Sequence, residues 1–113
     1  MDSRENIKNF TPISKFERLE KLDVSYTNIS DISFLEKNKN IKELYLYYCL
    51  NIKNFTPLSK LERLENLDVS WTNISDISFL EKNKNIKELN LECCKNINKN
   101  SNIFKRKDIR IYQ

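Results

Sequence analysis

Residues 6–50 and 51–95 align without a gap, and 37 of their 45 positions are identical, leaving eight differences. Self-similarity at a fixed interval is the pattern of a chain whose units stack on one another. The 113-residue length suits one domain with a modest core and is too short for two independent ones. Each 45-residue copy divides again. "LEKLDVSYTNI" (19–29), "IKELYLYYCLNI" (41–52), "LENLDVSWTNI" (64–74) and "IKELNLECCKNI" (86–97) share the pattern L-x-x-L-x-L-x-x-(T or C), with Ile or Val at some leucine positions. The central leucines Leu22, Leu44, Leu67 and Leu89 are 22, 23 and 22 residues apart.

In "LDVS" apolar and polar residues alternate, the period of a strand with one buried face. Strands this short do not survive alone, but stacking them at this pitch builds a continuous parallel sheet. After each strand, Ile32 and Leu35, or Phe55 and Leu58, carry apolar side chains at i and i+3, which predicts short 3₁₀ or one-turn helical segments. Pro12 and Pro57 sit at the starts of such segments, where a missing N–H costs least.

These four units resemble the leucine-rich-repeat family over roughly residues 6–97. Unit length and the "TNISDISFL" and "NFTPLSKL" stretches are most similar to its short-repeat forms, those of bacterial internalins and of protist and viral proteins. The position that often holds Asn in that family holds Thr27, Cys49, Thr72 and Cys94 here. The resemblance implies an α/β-type solenoid arc, with four or five short parallel strands on the concave face and short helical turns on the convex one. Residues 1–113 are then one domain, in which 6–50 and 51–95 are double repeats and 96–113 form a C-terminal cap. "DIRIY" (108–112) is the candidate fifth strand, with Ile109 and Ile111 set twenty residues after Leu89 and Leu91. Residues 1–5 leave the first unit without most of its strand, so the N-terminal edge is expected to be open to pairing.

The outward strand residues predict the composition of the concave face. They are Lys21, Asp23, Ser25 and Tyr26; Glu43, Tyr45, Tyr47 and Tyr48; Asn66, Asp68, Ser70 and Trp71; Glu88, Asn90, Glu92 and Cys93; then Asp108, Arg110 and Tyr112. Exposed aromatics are frequent binding anchors, and Tyr26, Tyr45, Tyr47, Tyr48 and Trp71 fall in adjacent units. The face carries two cations and six carboxylates, a sum of −4 against +4 for the whole chain. The differences between the copies point the same way. Ile13/Leu58 and Phe16/Leu61 are conservative core changes. Lys21/Asn66, Tyr26/Trp71, Tyr45/Asn90, Tyr47/Glu92 and Tyr48/Cys93 all fall on the predicted face, and Leu50/Lys95 lies just beyond it. Residues 37–40 recur unchanged at 82–85 although they belong to the convex side.

Other chemistries find little support. The chain has no His and no Gly, which leaves no imidazole and no phosphate-cradling glycine loop. Cys93 has Glu92 beside it, a neighbour that disfavours a thiolate, and adjacent Cys93 and Cys94 alternate faces and cannot converge on one metal. The three cysteines show no disulfide framework and read as reduced thiols in a cytoplasmic compartment. The four Asn-x-Ser/Thr sequons, at Asn9, Asn28, Asn54 and Asn73, read as accidents of an Asn-rich chain without a leader. No apolar run approaches the ~20 residues of a membrane span. Asn, Lys and Ile fill 44 positions, which points to an AT-rich genome.

The reading is a non-enzyme without cofactor or metal. It recognises a protein or peptide, basic with an apolar anchor, over Tyr26, Tyr45, Tyr47, Tyr48, Trp71, Asp23, Asp68, Glu43 and Glu92. The alternative is a self-assembling homo-oligomer joined through an open solenoid edge. Nucleic-acid binding through the basic convex side ranks below both, because the aromatics sit among carboxylates rather than in a basic groove.

Overall fold

The computed structural model describes residues 18–113. The expectations about Pro12, the sequon at Asn9 and the N-terminal edge lie outside these residues. Five three-residue strands form one parallel sheet in chain order: β1 (Lys21–Asp23), β2 (Glu43–Tyr45), β3 (Asn66–Asp68), β4 (Glu88–Asn90) and β5 (Arg110–Tyr112). Leu22, Leu44, Leu67, Leu89 and Ile111 are aligned across it. Each strand is short, but the interstrand ladder of backbone bonds runs on beyond it. Val24 N donates to Tyr45 O (3.0 Å), Tyr26 N to Tyr47 O (2.8 Å) and Trp71 N to Glu92 O (2.9 Å).

One register differs from expectation. Leu89 pairs with Ile111, not Ile109, so the last unit also has a 22-residue pitch. A two-residue slip keeps every side chain on its own face, which is why alternation alone could not distinguish the two registers. The slip moves Asp108 off the strand to the position that Ile41, Leu64 and Ile86 fill in earlier units. There Asp108 is exposed and ion-paired with Arg106 (Nη2 to Oδ2, 2.6 Å), while Ile109 is buried in its stead.

The return path of each unit is a 3₁₀ segment, at Ser33–Lys37, Thr56–Lys60, Ser78–Leu80 and Asn102–Lys105. Their starts are held by side chains. Asp31 Oδ1 accepts Ser33 N (2.9 Å), Asn54 Oδ1 accepts Thr56 N (3.1 Å) and Asp76 Oδ1 accepts Ser78 N (2.8 Å). Pro57 lies in the first turn of its segment, as expected. The core between sheet and 3₁₀ segments is a set of columns, one side chain per unit. Leu22, Leu44, Leu67 and Leu89 form one; Leu35, Leu58, Leu80 and Ile103 form another. No unit buries its apolar residues without the next, so the units are stable only as a stack.

The last unit is tied back by a residue the sequence showed only as part of a basic run. Arg106 Nη1 donates to the carbonyls of Leu80 (3.0 Å) and Asn83 (2.6 Å), while Nε and Nη2 grip both oxygens of Asp108. This guanidinium holds the Asp108 carboxyl below the usual aspartate range.

Candidate functional site: the aromatic sheet face

Four residues govern where each unit leaves the sheet. Tyr26, Tyr48, Trp71 and Cys93 stand at the same repeat position, all with φ between 57° and 62°. A non-glycine residue in this left-handed region costs about 1–2 kcal/mol, and this chain has no glycine to spend there. The reversal turns the side chain out at the strand's end, while the N–H groups of Tyr26, Tyr48 and Trp71 still join the ladder. Nothing in the sequence marked this backbone, because an aromatic residue gives no signal for positive φ.

The Thr or Cys one residue later (Thr27, Cys49, Thr72 and Cys94) turns inward and forms a second ladder. Thr27 Oγ1 donates to Val24 O (2.7 Å), and Cys49 Sγ of the next unit donates to the same carbonyl (3.1 Å). The second copy repeats this with Thr72 and Cys94 on Val69 O, at 2.6 and 3.0 Å. Threonine and cysteine therefore work in pairs, two units sharing one acceptor. Burial pushes both Cys49 and Cys94 thiols up, away from thiolate character.

The predicted face residues divide by their contacts into three groups. Tyr26, Tyr47, Tyr48 and Trp71 come together as a ring cluster. Tyr26 and Tyr48 stack at 5.4 Å between centroids, Tyr48 and Trp71 lie 5.7 Å apart, and Tyr47 leans on Tyr26 at 4.9 Å. Tyr26, Tyr48 and Trp71 remain 39%, 38% and 41% exposed. The Tyr26 hydroxyl beside Tyr47, with some burial, raises the Tyr47 phenol.

Tyr45 is not part of that cluster. Its hydroxyl donates to Glu43 Oε1 (3.0 Å), which also accepts Asn66 Nδ2 (3.2 Å), and Lys21 Nζ lies 5.6 Å over its ring. Burial and then this carboxylate raise the Tyr45 phenol, while the same hydroxyl and amide lower Glu43.

The third group is structural. Ser25 and Ser70 are buried rather than outward-facing. Asp23 Oδ1 accepts Ser25 N, Asp68 Oδ1 accepts Ser70 N, and Asn90 Oδ1 accepts Glu92 N, each at 2.9 Å. Where Tyr45 stands in place of Asp, the Tyr47 N–H is taken instead by Ser25 Oγ (3.0 Å). Glu92 is exposed at the position equivalent to Tyr47, and Cys93 at that of Tyr48. With Asp108 drawn away, the face carries Lys21 and Arg110 against Asp23, Glu43, Asp68, Glu88 and Glu92, that is 2 − 5 = −3.

A model of leucine-rich repeats in two copies matches residues 17–60. With the single-file parallel sheet, the unit pitch and the inward Thr/Cys ladder, the architecture is settled. The chain has the fold of a leucine-rich-repeat solenoid. Among solved structures it is similar to an internalin (inlF) from Listeria monocytogenes, with a TM-score of 0.70 and 25% identity over 75% of this chain and 25% of that one. It is also similar to internalin C2 (inlC2) from the same organism, with a TM-score of 0.68 and 24% identity over 80% of this chain and 45% of that one. The solenoid thus spans a quarter to under half the length of these internalins. No curated protein sequence matches it.

Among the described residues of this leucine-rich-repeat solenoid, no group of three or more His, Cys, Asp or Glu side chains is placed to hold a metal ion. No helix among them is long and apolar enough to cross a membrane. The side opposite the sheet is less plain than its sequence. Asn38 is fully buried, and its counterpart Asn83 accepts from Asn85 N (2.8 Å) and Ile86 N (3.2 Å). Asn40 Oδ1 accepts Arg63 Nη1 (2.8 Å). Two of the four positions in the unchanged 37–40 stretch are thus kept by structure, whereas Lys37 and Lys39 are solvent-exposed.

Proposed function

We propose that this chain is a non-catalytic protein-recognition module and that the ring cluster on its sheet face is the contact surface. The observation that carries the reading is the exposed row Tyr26–Tyr48–Trp71, the two tyrosines stacked and the indole tilted against Tyr48, backed by Tyr47, on a backbone turned outward at some cost in strain. Apolar rings held in one geometry lose little conformational entropy when a partner covers them. Carboxylates on the same face favour a partner with basic character and would hasten its encounter at low salt. Glu43, Asp23 and Asp68 contribute mainly to that field, since local hydrogen bonds engage all three. Internalin likeness and leucine-rich-repeat architecture support an interaction scaffold in general.

The inward, neutral thiols of Cys49 and Cys94 support the absence of nucleophilic chemistry, and three unpaired cysteines support a reducing, cytoplasmic setting. The stacked columns support a single cooperative unit over the described residues.

The test is selection from a displayed random-peptide library on the full chain and on a Tyr48→Ser/Trp71→Ser variant. Basic peptides carrying an apolar anchor should enrich on the parent and be lost on the variant. Equal enrichment on both would remove the ring cluster from the binding surface.

A further inference from the structure

The ring stack has a fourth place that holds no ring. Tyr26, Tyr48, Trp71 and Cys93 share one backbone conformation in four successive units, so their side chains leave the sheet in one file. Tyr48 is covered by a ring on each side, at 5.4 and 5.7 Å. Trp71 has Tyr48 on one side only. In the next unit the file continues with the short, exposed thiol of Cys93, so the indole, 41% exposed, has no ring beside it on that side.

The duplication changed the neighbouring position as well. Where the first copy has Tyr47, the second has Glu92. Its backbone is held at both ends, the N–H by Asn90 Oδ1 and the carbonyl by Trp71 N, and its side chain is exposed. Glu92 makes no ion pair among the described residues: in the following unit Arg110 is placed with Glu88 at 3.9 Å, and Arg106 is paired with Asp108. At these two places the second copy has thus lost both rings and gained one carboxylate without an ion pair, next to an indole that has a ring neighbour on one side only.

We propose that this open end of the stack seats one arginine side chain of the partner. Its guanidinium lies flat on the outer face of Trp71, above Cys93, and donates to the Glu92 carboxylate at the edge of the file. The proposal rests on the sheet face being the recognition surface and names the side chain that face selects. Indole is the strongest of the aromatic partners for a cation. A planar guanidinium can continue a ring stack and form a directed bond to a carboxylate at once, which an ammonium cannot. The molecule already contains a seat of this construction elsewhere: Lys21 lies over the Tyr45 ring, whose hydroxyl is held by Glu43. In the second copy both Lys21 and Tyr45 are replaced by asparagine, Asn66 and Asn90, so that internal seat is not repeated there.

Trp71 is the only tryptophan, so its fluorescence reports on this place directly. The probes are acetyl-Gly-Arg-Gly-amide and its citrulline, lysine and phenylalanine counterparts, titrated into the full chain. Backbone amide shifts of Glu92 and Cys93 are recorded in parallel. The arginine peptide should give a saturable change at millimolar concentration, with the lysine peptide about threefold weaker and the citrulline peptide about tenfold weaker. Glu92→Gln should weaken arginine about three- to fivefold, in keeping with an exposed charge pair. Cys93→Tyr fills the fourth place with a residue that the same backbone position already accepts at Tyr48, and should reduce the response at least tenfold. Citrulline equal to arginine, or unaltered binding by Cys93→Tyr, would overturn the seat. Tighter binding of the phenylalanine peptide would overturn it too, and would assign the place to a partner's ring. The two readings fail separately: library peptides without arginine that still depend on Tyr48 and Trp71 would retain the surface and remove the seat.

Discussion

Replacing Cys93 by glycine should stabilise the protein, whereas the same replacement at Tyr48 should destabilise it. Both residues have φ near 60°, where a side chain with a Cβ costs about 1–2 kcal/mol and glycine costs nothing. Glycine also loses more freedom on folding, a penalty of roughly 0.5–1 kcal/mol. At Cys93, an exposed residue outside the ring contacts, the difference leaves a gain of about 0.5–1 kcal/mol. With an m-value of about 2 kcal/mol/M, the urea midpoint should rise by roughly 0.25–0.5 M. Tyr48 has the same relief to gain but touches Tyr26, Tyr47 and Trp71, with ring centroids 5.4, 6.2 and 5.7 Å away. Aromatic pairs are worth about 0.5–1.5 kcal/mol each, so Tyr48→Gly should lose about 1–3 kcal/mol net. Urea unfolding followed by far-ultraviolet circular dichroism measures both. If both variants fall by similar amounts, backbone strain is not being relieved at this position. If both rise, the ring stack contributes nothing to the fold.

Other consequences are smaller in scope. Thr72→Val removes one of the two donors to the Val69 carbonyl at nearly constant shape and should cost about 1 kcal/mol in chemical unfolding, with Thr72→Ser recovering most of it. Arg106→Lys cannot span two carbonyls and a carboxylate, so amide exchange in β5 should accelerate while β2 and β3 stay protected. The hydroxyl and N–H of Ser78 hold Asp76 below the ordinary aspartate value. A depressed folded pKa means that its contribution is present above the unfolded value and lost as pH falls through the folded one. Asp76→Asn keeps the acceptor for Ser78 N and should flatten the decline of stability below about pH 4, measured by urea midpoints across a pH series. A thiol reagent should label Cys93 in the native protein and reach buried Cys49 only on unfolding, with half-buried Cys94 between them.

The architecture was legible because it repeats. Four copies of one alternating pattern at a constant pitch leave few ways to bury Leu22, Leu44, Leu67 and Leu89 except in a column, and the 3₁₀ segments follow from apolar pairs spaced by three. What escaped depended on single atoms. Register in the last unit turned on whether Ile109 or Ile111 sits opposite Leu89, and both choices put an isoleucine there; the observed one comes with the hold of Arg106 on Asp108 and on the Leu80 and Asn83 carbonyls. Ser25 and Ser70 alternate with Val24 and Val69 like outward residues, but the chain begins to reverse at the next position, and the reversal draws the serines in. Tyr45 was grouped with the other rings because sequence gives proximity along the strand and not the direction of a hydroxyl, which here turns to Glu43.

The structure also sharpens what the differences between the two copies mean. Asp23/Asp68 and Ser25/Ser70 lie in the sheet-face segments and are unchanged, and both are engaged with the backbone: Asp as the acceptor for the serine N–H, Ser as a buried spacer. The unchanged asparagines of the opposite side, Asn38/Asn83 and Asn40/Asn85, are likewise built in. Constancy at these places therefore says little about function, and the argument from an unchanging convex loop narrows to Lys37/Lys82 and Lys39/Lys84. The change, however, is concentrated. Tyr26/Trp71, Tyr47/Glu92 and Tyr48/Cys93 are three differences at consecutive places along one file and its flank, all exposed or half-exposed. They convert a closed group of rings in the first copy into an indole, a carboxylate and a gap in the second. Drift under a requirement for solubility alone would scatter over the exposed lysines and asparagines as readily as over this file. A surface whose two halves have become chemically different suits an extended partner with two different side chains to place, an apolar one on the tyrosines and a cationic one at Trp71 and Glu92.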